Sequence, residues 1–296
     1  MIMAKQYYYF IAGLPGVSME DSKLMMDPQQ FRDQAIEQLT PGDYQLLTSM
    51  HLLSDMSNLL DQLYKNERYH DPDGLYPTQH WQDFLSYLRQ KAENATLKTP
   101  EQFEIHPHFL EKTLLPIIAE EDLPKKVDSE HQLLSAFFDF SKDHSNKFFR
   151  EYFELERNIK NILAAINGRH HKVDFAKYLI GNDDTVTNLA KSHAADFGLG
   201  KDHPLFDQLV RIWEQNDILY RERAYDVLRN KWIDEQNFFE YFNVDRILGY
   251  YTKIRIVGRW QKADAALGKE VFHDTLNKLE NSFTFPEDFN IRIKQK

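Results

Sequence analysis

The chain has 296 residues, with 46 Asp or Glu against 36 Lys or Arg and a formal net charge of −10 at pH 7. That balance argues against a general nucleic-acid binder, whose affinity rests on neutralising phosphates with Lys and Arg. The absence of cysteine excludes disulfides, thiolate nucleophiles and Cys-based zinc or iron–sulfur sites. The length supports one large domain or two to three lobes. With only eleven Gly and eleven Pro, it lacks the dense turn punctuation of a β-sandwich. Its 21 Phe and 15 Tyr imply broad apolar helix faces and a sticky contact surface. No secretory signal is readable at the start, and no stretch reaches the roughly 18–20 apolar residues that span a bilayer. A cytoplasmic protein that meets a membrane only through a partner is the expectation.

In chain order, the aromatic run at residues 7–12 fits a short strand or a buried helix start, and Gly13-Leu14-Pro15-Gly16 ends it. From Pro28 the period is helical: Phe31, Ala35, Ile36 and Leu39 form one stripe, closed by Thr40-Pro41-Gly42. Asp43 can cap a helix that runs through Leu63. The sequence HDPDGLYP at residues 70–77 is a turn, and Trp81, Phe84, Leu85 and Leu88 restore the helical period. Residues 96–126 hold four prolines and a charged run, as a linker would. A long helical stretch then runs from Ser129 to Gly168, with shorter pieces at 174–180 and 189–197, a further stretch at 205–232 and a final helical pair. The tail after Phe283 is polar. The predicted organisation is an N-terminal helical lobe (1–125, with the linker at its end), a lobe at 126–200 and a lobe at 201–296, packed as one unit.

One cassette occurs twice. Residues 148–169 read FFREYFELERNIKNILAAINGR, and residues 238–259 read FFEYFNVDRILGYYTKIRIVGR. Both open on paired phenylalanines, continue through Tyr-Phe and an acidic-Arg pair (Glu156-Arg157, Asp245-Arg246), and close on Gly-Arg (Arg169, Arg259). Self-similarity at a long period marks a stacked or duplicated helical unit. A catalytic residue has no reason to recur, but a packing device does, so these six charged residues are expected to pair across helices and set their register. Neighbouring polar groups extend the pattern: Glu154, Asn158 and Asn161 share a helix face, and Arg221, Glu222, Arg223, Asp226 and Arg229 form a charge ladder.

Other motifs carry little chemistry. Asp196-Phe197-Gly198 lacks the Gly-rich loop, strand lysine and catalytic loop of a kinase, and fits a helix end capped by Gly198. Twelve histidines include the pairs His70-Asp71 and His273-Asp274, and a helical metal-dependent hydrolase is the rival they raise. His70-Asp71 sits in a turn, however, and adjacent His170-His171 side chains diverge on a helix. No catalytic, cofactor-binding or metal residue is predicted. Trp213, Trp232 and Trp260 are expected in the core.

Several blocks also resemble a known family: residues 8–15 (YYFIAGLP), 148–168, 178–181 (YLIG), 195–199 (ADFGL), Arg221-Glu222 with Asp226, and 241–260. Together they resemble an uncharacterised bacterial family grouped with the C-type subunit of the V/A-type ATPases (the d-type subunit in eukaryotes). The resemblance implies an all-α, multi-helix, funnel-like array of repeated helical units, with at most a minor N-terminal strand. It also implies a non-catalytic central-stalk role without cofactors, with the central shaft and membrane rotor ring as partners. A third unit would then be expected near the N-terminus, and residues 55–63 (DMSNLLDQL) are the best candidate. A helical adaptor unrelated to rotary motors shares every feature except the resemblance.

Overall fold

Every described segment with regular structure is helical. The computed structural model describes residues 5–21, 23–66, 70–200 and 203–262, and among them are twelve α-helices, two short 3₁₀ turns and no strand. The first four are α1 (Tyr8–Ala12), α2 (Pro28–Gln38), α3 (Pro41–Ser49) and α4 (Leu52–Leu63). Next come α5 (Thr78–Glu93), α6 (His108–Ala119), α7 (Lys126–Lys142) and α8 (Lys147–His171). The last four are α9 (Asp184–Lys191), α10 (Pro204–Trp213), α11 (Ile218–Gln236) and α12 (Val244–Lys262). The all-α expectation therefore holds, and residues 8–12 take the helical alternative.

Capping chemistry places several breaks that hydrophobic period alone does not. Asp27 accepts from the backbone of Gln29 and Gln30 and completes a capping box with the Gln30 side chain. Thr40, rather than Asp43, caps α3, with Pro41 in the first turn. The long stretch predicted from Ser129 to Gly168 is two helices, because Asn146 accepts from Phe149 N at 2.8 Å and starts α8. The stretch predicted at 205–232 likewise divides where Asp217 caps α11. Residues 96–126, expected as linker, instead contain α6, whose Leu110, Leu114 and Ile117 are buried. Pro107 falls just before its first turn, where no N–H is needed. Pro116 lies inside the helix, held there by the packing of α6 between α5 and α7.

Two cores result. The larger gathers side chains from α2 to α7, the first turns of α8, and Ile247, Leu248, Tyr251, Ile254 and Ile256 of α12. The smaller takes Leu155, Ile159, Ile162, Ala165 and Ile166 of α8 with residues of α9, α10 and α11. The larger core thus draws on all three spans of the predicted organisation, since α12 packs against α2 and α3. The 25-residue α8 is common to both cores.

The two cassettes occupy different environments. The first lies entirely on α8, with Phe148 and Phe149 buried. In the second, residues 238–243 form the reversal between α11 and α12, and Phe238 and Phe239 are exposed. Close approach governs Gly168, which is buried against Phe175: a Cβ there would lie 2.4 Å from Phe175 Cδ1 and 2.6 Å from its Cβ. Gly168→Ala is expected to lower stability by about 1–3 kcal/mol through overpacking, read as a lower urea midpoint with unchanged slope; an unchanged midpoint would refute the constraint.

Candidate functional site

The polar groups that charge ladders and cassettes contribute converge on a seam where α8, α11 and α12 meet. Asp226 and Arg229 are one turn apart on α11, so both face the same neighbours. Arg229 grips Glu156 of α8 with a two-pronged contact, Nε to Oε1 at 2.6 Å and Nη2 to Oε2 at 3.1 Å. Its Nη1 donates to Asp226 Oδ1 at 3.3 Å. The other oxygen of Asp226 accepts from Trp260 Nε1 at 2.7 Å and from the Arg259 guanidinium. Asp226 is 1% exposed, whereas the Arg259 side chain is 66% exposed, so the seam runs from a buried carboxylate out to a solvated arginine.

One turn before Arg259, Arg255 carries the seam into the larger core. It donates to the Met50 carbonyl at 2.8 Å and forks onto Asp73 of the 70–77 turn, Nε to Oδ1 at 3.1 Å and Nη2 to Oδ2. That turn is clamped from α4. Asn58 accepts from Asp71 N at 2.8 Å and donates to Asp71 O at 3.0 Å, and Asp55 accepts from Leu75 N at 2.8 Å. Gly74 is required for this approach, because a Cβ would lie 2.4 Å from Asn58 Nδ2.

His51 closes the network, and its partners determine its tautomer. Arg32 can only donate, and it reaches the Tyr251 hydroxyl at 2.8 Å. The Tyr251 proton is then directed to His51 Nε2, 2.6 Å away, while His51 Nδ1–H donates to the Asp73 carbonyl. The imidazole is neutral: burial, and then Arg255, push its pKa down to about 3. Burial drives Asp55 the other way, up to about 7. Burial also raises Asp73, but Arg255 outweighs it and leaves that carboxyl below its usual range.

The six predicted repeat positions go to unlike partners. Glu156 and Arg259 join the seam, through Arg229 and Asp226 respectively. Arg157 pairs with Asp183 at 2.6 Å, and Arg169 donates to the carbonyls of Ser192 and Ala194 with its guanidinium 3.4 Å from the Phe197 ring centroid. Asp245 accepts from the side chain of Asn146, the cap of α8, at 2.5 Å. Arg246 donates its backbone N–H to Asn243 Oδ1 at 3.2 Å, and its side chain faces a small cleft beside Tyr250 and Lys253. Glu154 lies 4.0 Å from Arg157, while buried Asn161 clamps the backbone of Ile180 through both its amide atoms. Trp213 donates to Asn167 and Trp260 to Asp226 from half-buried positions, and Trp232 packs against both cores. The Asp196-Phe197-Gly198 triplet is a turn beyond α9, not its capped end: Phe197 is buried at φ 54° and Asp196 accepts from Gly198 N.

His51, Asp55, Asp73, Tyr251 and Arg255 were not singled out in the sequence. A signal for part of the set exists in Tyr251, Arg255 and Arg259, which recur every four residues and so share one face of α12. Chemically, the arrangement is a brace. Each carboxylate of Glu156, Asp226 and Asp73 is engaged by an arginine, and the contacts of the whole network tie five helices (α2, α4, α8, α11 and α12) and the 70–77 turn together. Among the described residues, no three His, Cys, Asp or Glu side chains gather as metal ligands, and no helix is long and apolar enough to cross a membrane. The pair His273-Asp274 lies outside the described residues.

The sequence profile of a family described as "Protein of unknown function (DUF2764)" matches residues 3–283. The chain belongs to that family. No curated protein and no solved structure matches it.

Proposed function

We propose that this chain is a non-catalytic central-stalk subunit of a V/A-type ATPase, linking the rotary shaft to the membrane rotor ring. The observation that carries the reading is mechanical. One 25-residue helix, α8, runs through both cores; the Glu156–Arg229 ion pair ties it to α11, and Asp226 in turn ties α11 to Arg259 and Trp260 of α12. A protein that couples shaft to ring has to transmit force without yielding, and packed helices braced by fully paired charges resist shear between them. The resemblance of the blocks at residues 8–15, 148–168 and 241–260 to the family grouped with the C-type stalk protein supports the same reading. In this role the chain needs no cofactor, and its partners are the shaft and ring proteins at the cytoplasmic face of the membrane. The acidic balance of −10 would speed docking onto a basic shaft tip.

The test is native mass spectrometry of a mild-detergent pull-down with the tagged protein as bait. Recovery of shaft and ring proteins is expected. Recovery of the protein alone, from an extract in which the motor is intact, would replace the proposal with an independent helical scaffold.

A further inference from the structure

A cleft of about 300 Å³ lies between the loop that follows α1 and the corner where α11 gives way to α12. Its α12 wall is a single helix face, because Arg246, Tyr250 and Lys253 are spaced four and three residues apart. Asn237, which ends α11, closes one side. The opposite wall is apolar: Ile11 and Leu14 face the cleft from α1 and from the Gly13-Leu14-Pro15-Gly16 segment that ends it. The cleft is separate from the charged seam.

Two orphaned polar atoms and an unpaired cation point to a ligand. Asn237 is 3% exposed. Its Nδ2 packs over Gly249, and its Oδ1 has no hydrogen-bond partner among the described residues. The Tyr250 hydroxyl is likewise buried and unpartnered. Folded proteins satisfy nearly all such groups, because an unmet one is costly to keep. Arg246 is exposed and its guanidinium makes no ion pair among the described residues. Lys253 uses one of its three donors on Asp234 Oδ1, at 2.7 Å. Two cations and one carboxylate leave the lining with a net single positive charge.

These groups choose among anions. A single net positive charge suits a monoanion better than a phosphate dianion. The planar fork of Arg246 matches a carboxylate, which can accept through both oxygens. Asn237 Oδ1 can only accept, so the ligand has to bring a donor of its own. Ile11 and Leu14 then offer cover to a hydrocarbon group.

We propose that this cleft binds a small monocarboxylate bearing a hydroxyl or amino donor and an aliphatic side chain. The carboxylate sits on Arg246 and Lys253 and accepts from the Tyr250 hydroxyl. The donor meets Asn237 Oδ1, and the aliphatic group lies against Ile11 and Leu14. The inference does not depend on the central-stalk reading.

Calorimetric titration of the full-length protein tests it with four probes: free leucine, α-hydroxyisocaproate, isocaproate (which lacks the donor) and inorganic phosphate. Leucine or α-hydroxyisocaproate is expected to bind roughly tenfold tighter than isocaproate and phosphate, as befits one added hydrogen bond to a buried acceptor. Arg246→Ala is expected to weaken that binding by a similar factor. Tyr250→Phe should weaken it several-fold without lowering the melting temperature, since the hydroxyl it removes has no partner in the free protein. Absence of binding by both donor-bearing acids at millimolar concentration overturns the proposal, and so does binding that Arg246→Ala leaves unchanged. Equal affinity for isocaproate also overturns it, and tighter binding of phosphate overturns it in favour of a phosphate site.

Discussion

Asp226→Ala is expected to lower stability by about 3–5 kcal/mol, the cost of removing one partner from a buried charge network. Asp226 is 1% exposed and takes donors from Arg229, Arg259 and Trp260. Its loss leaves the Trp260 indole N–H unpartnered and Arg229 held by Glu156 alone. For a chain of this size the change corresponds to a fall in melting temperature of roughly 6–15 °C. Arg259→Ala should behave differently although it breaks a contact to the same carboxylate. Its side chain is 66% exposed, so solvent already screens the charge and the effect should stay under about 1 kcal/mol. Thermal unfolding of the two variants side by side decides the matter. Equal losses would mean that burial does not set the strength of the seam, and the bracing argument would fail.

The second large effect is a pH dependence that Asp55→Asn removes. Burial raises the Asp55 carboxyl from 3.8 to about 7, so between those values the folded chain holds a proton that the unfolded chain has released. Stability therefore falls as pH rises through this window, and above pH 7 the buried charge is carried in full. The substituted amide keeps an oxygen to accept from Leu75 N, the contact at 2.8 Å, without ever ionising. The variant and the parent should be similarly stable near pH 4, and the variant should gain on the order of 2–4 kcal/mol by pH 8. His51 titrates with the opposite sign. Its pKa is depressed from 6.5 to about 3, so it adds stability as pH rises from 3 to 6.5 and partly masks Asp55 in the parent. Because both proteins retain His51, the difference between their urea-unfolding free energies isolates the carboxylate. A difference that stays constant from pH 4.5 to 8 would show that Asp55 is ionised in the fold throughout.

How much of the seam was legible in the sequence follows from how each member was placed. Glu156 and Arg259 stood out as recurring cassette charges, and Asp226 and Arg229 as rungs of a charge ladder; any of them that is buried needs a partner. Their partners were another matter. Glu156 and Asp245 hold equivalent places in the repeat, yet one grips an arginine on α11 and the other an asparagine at the start of α8. Likewise Phe148 and Phe238 match in sequence while one is buried and the other exposed. A motif specifies which groups are presented, and only the neighbouring element decides what they meet. The prolines at 107 and 116 were misleading for a related reason: tertiary burial of Leu110, Leu114 and Ile117 overrides the local penalty of a helical proline.

By itself the sequence determined the all-helical class, most helix locations, the lack of any cysteine chemistry and the presence of charges that had to be paired. These follow from residue type and from a period of 3.6, both local properties. Only the tertiary structure decided that α12 returns to the N-terminal helices, that α8 joins two cores, and that His51, Asp73 and Arg255 meet across some 200 residues of chain. Such pairings depend on the order in which helices pack, and no local pattern records that order.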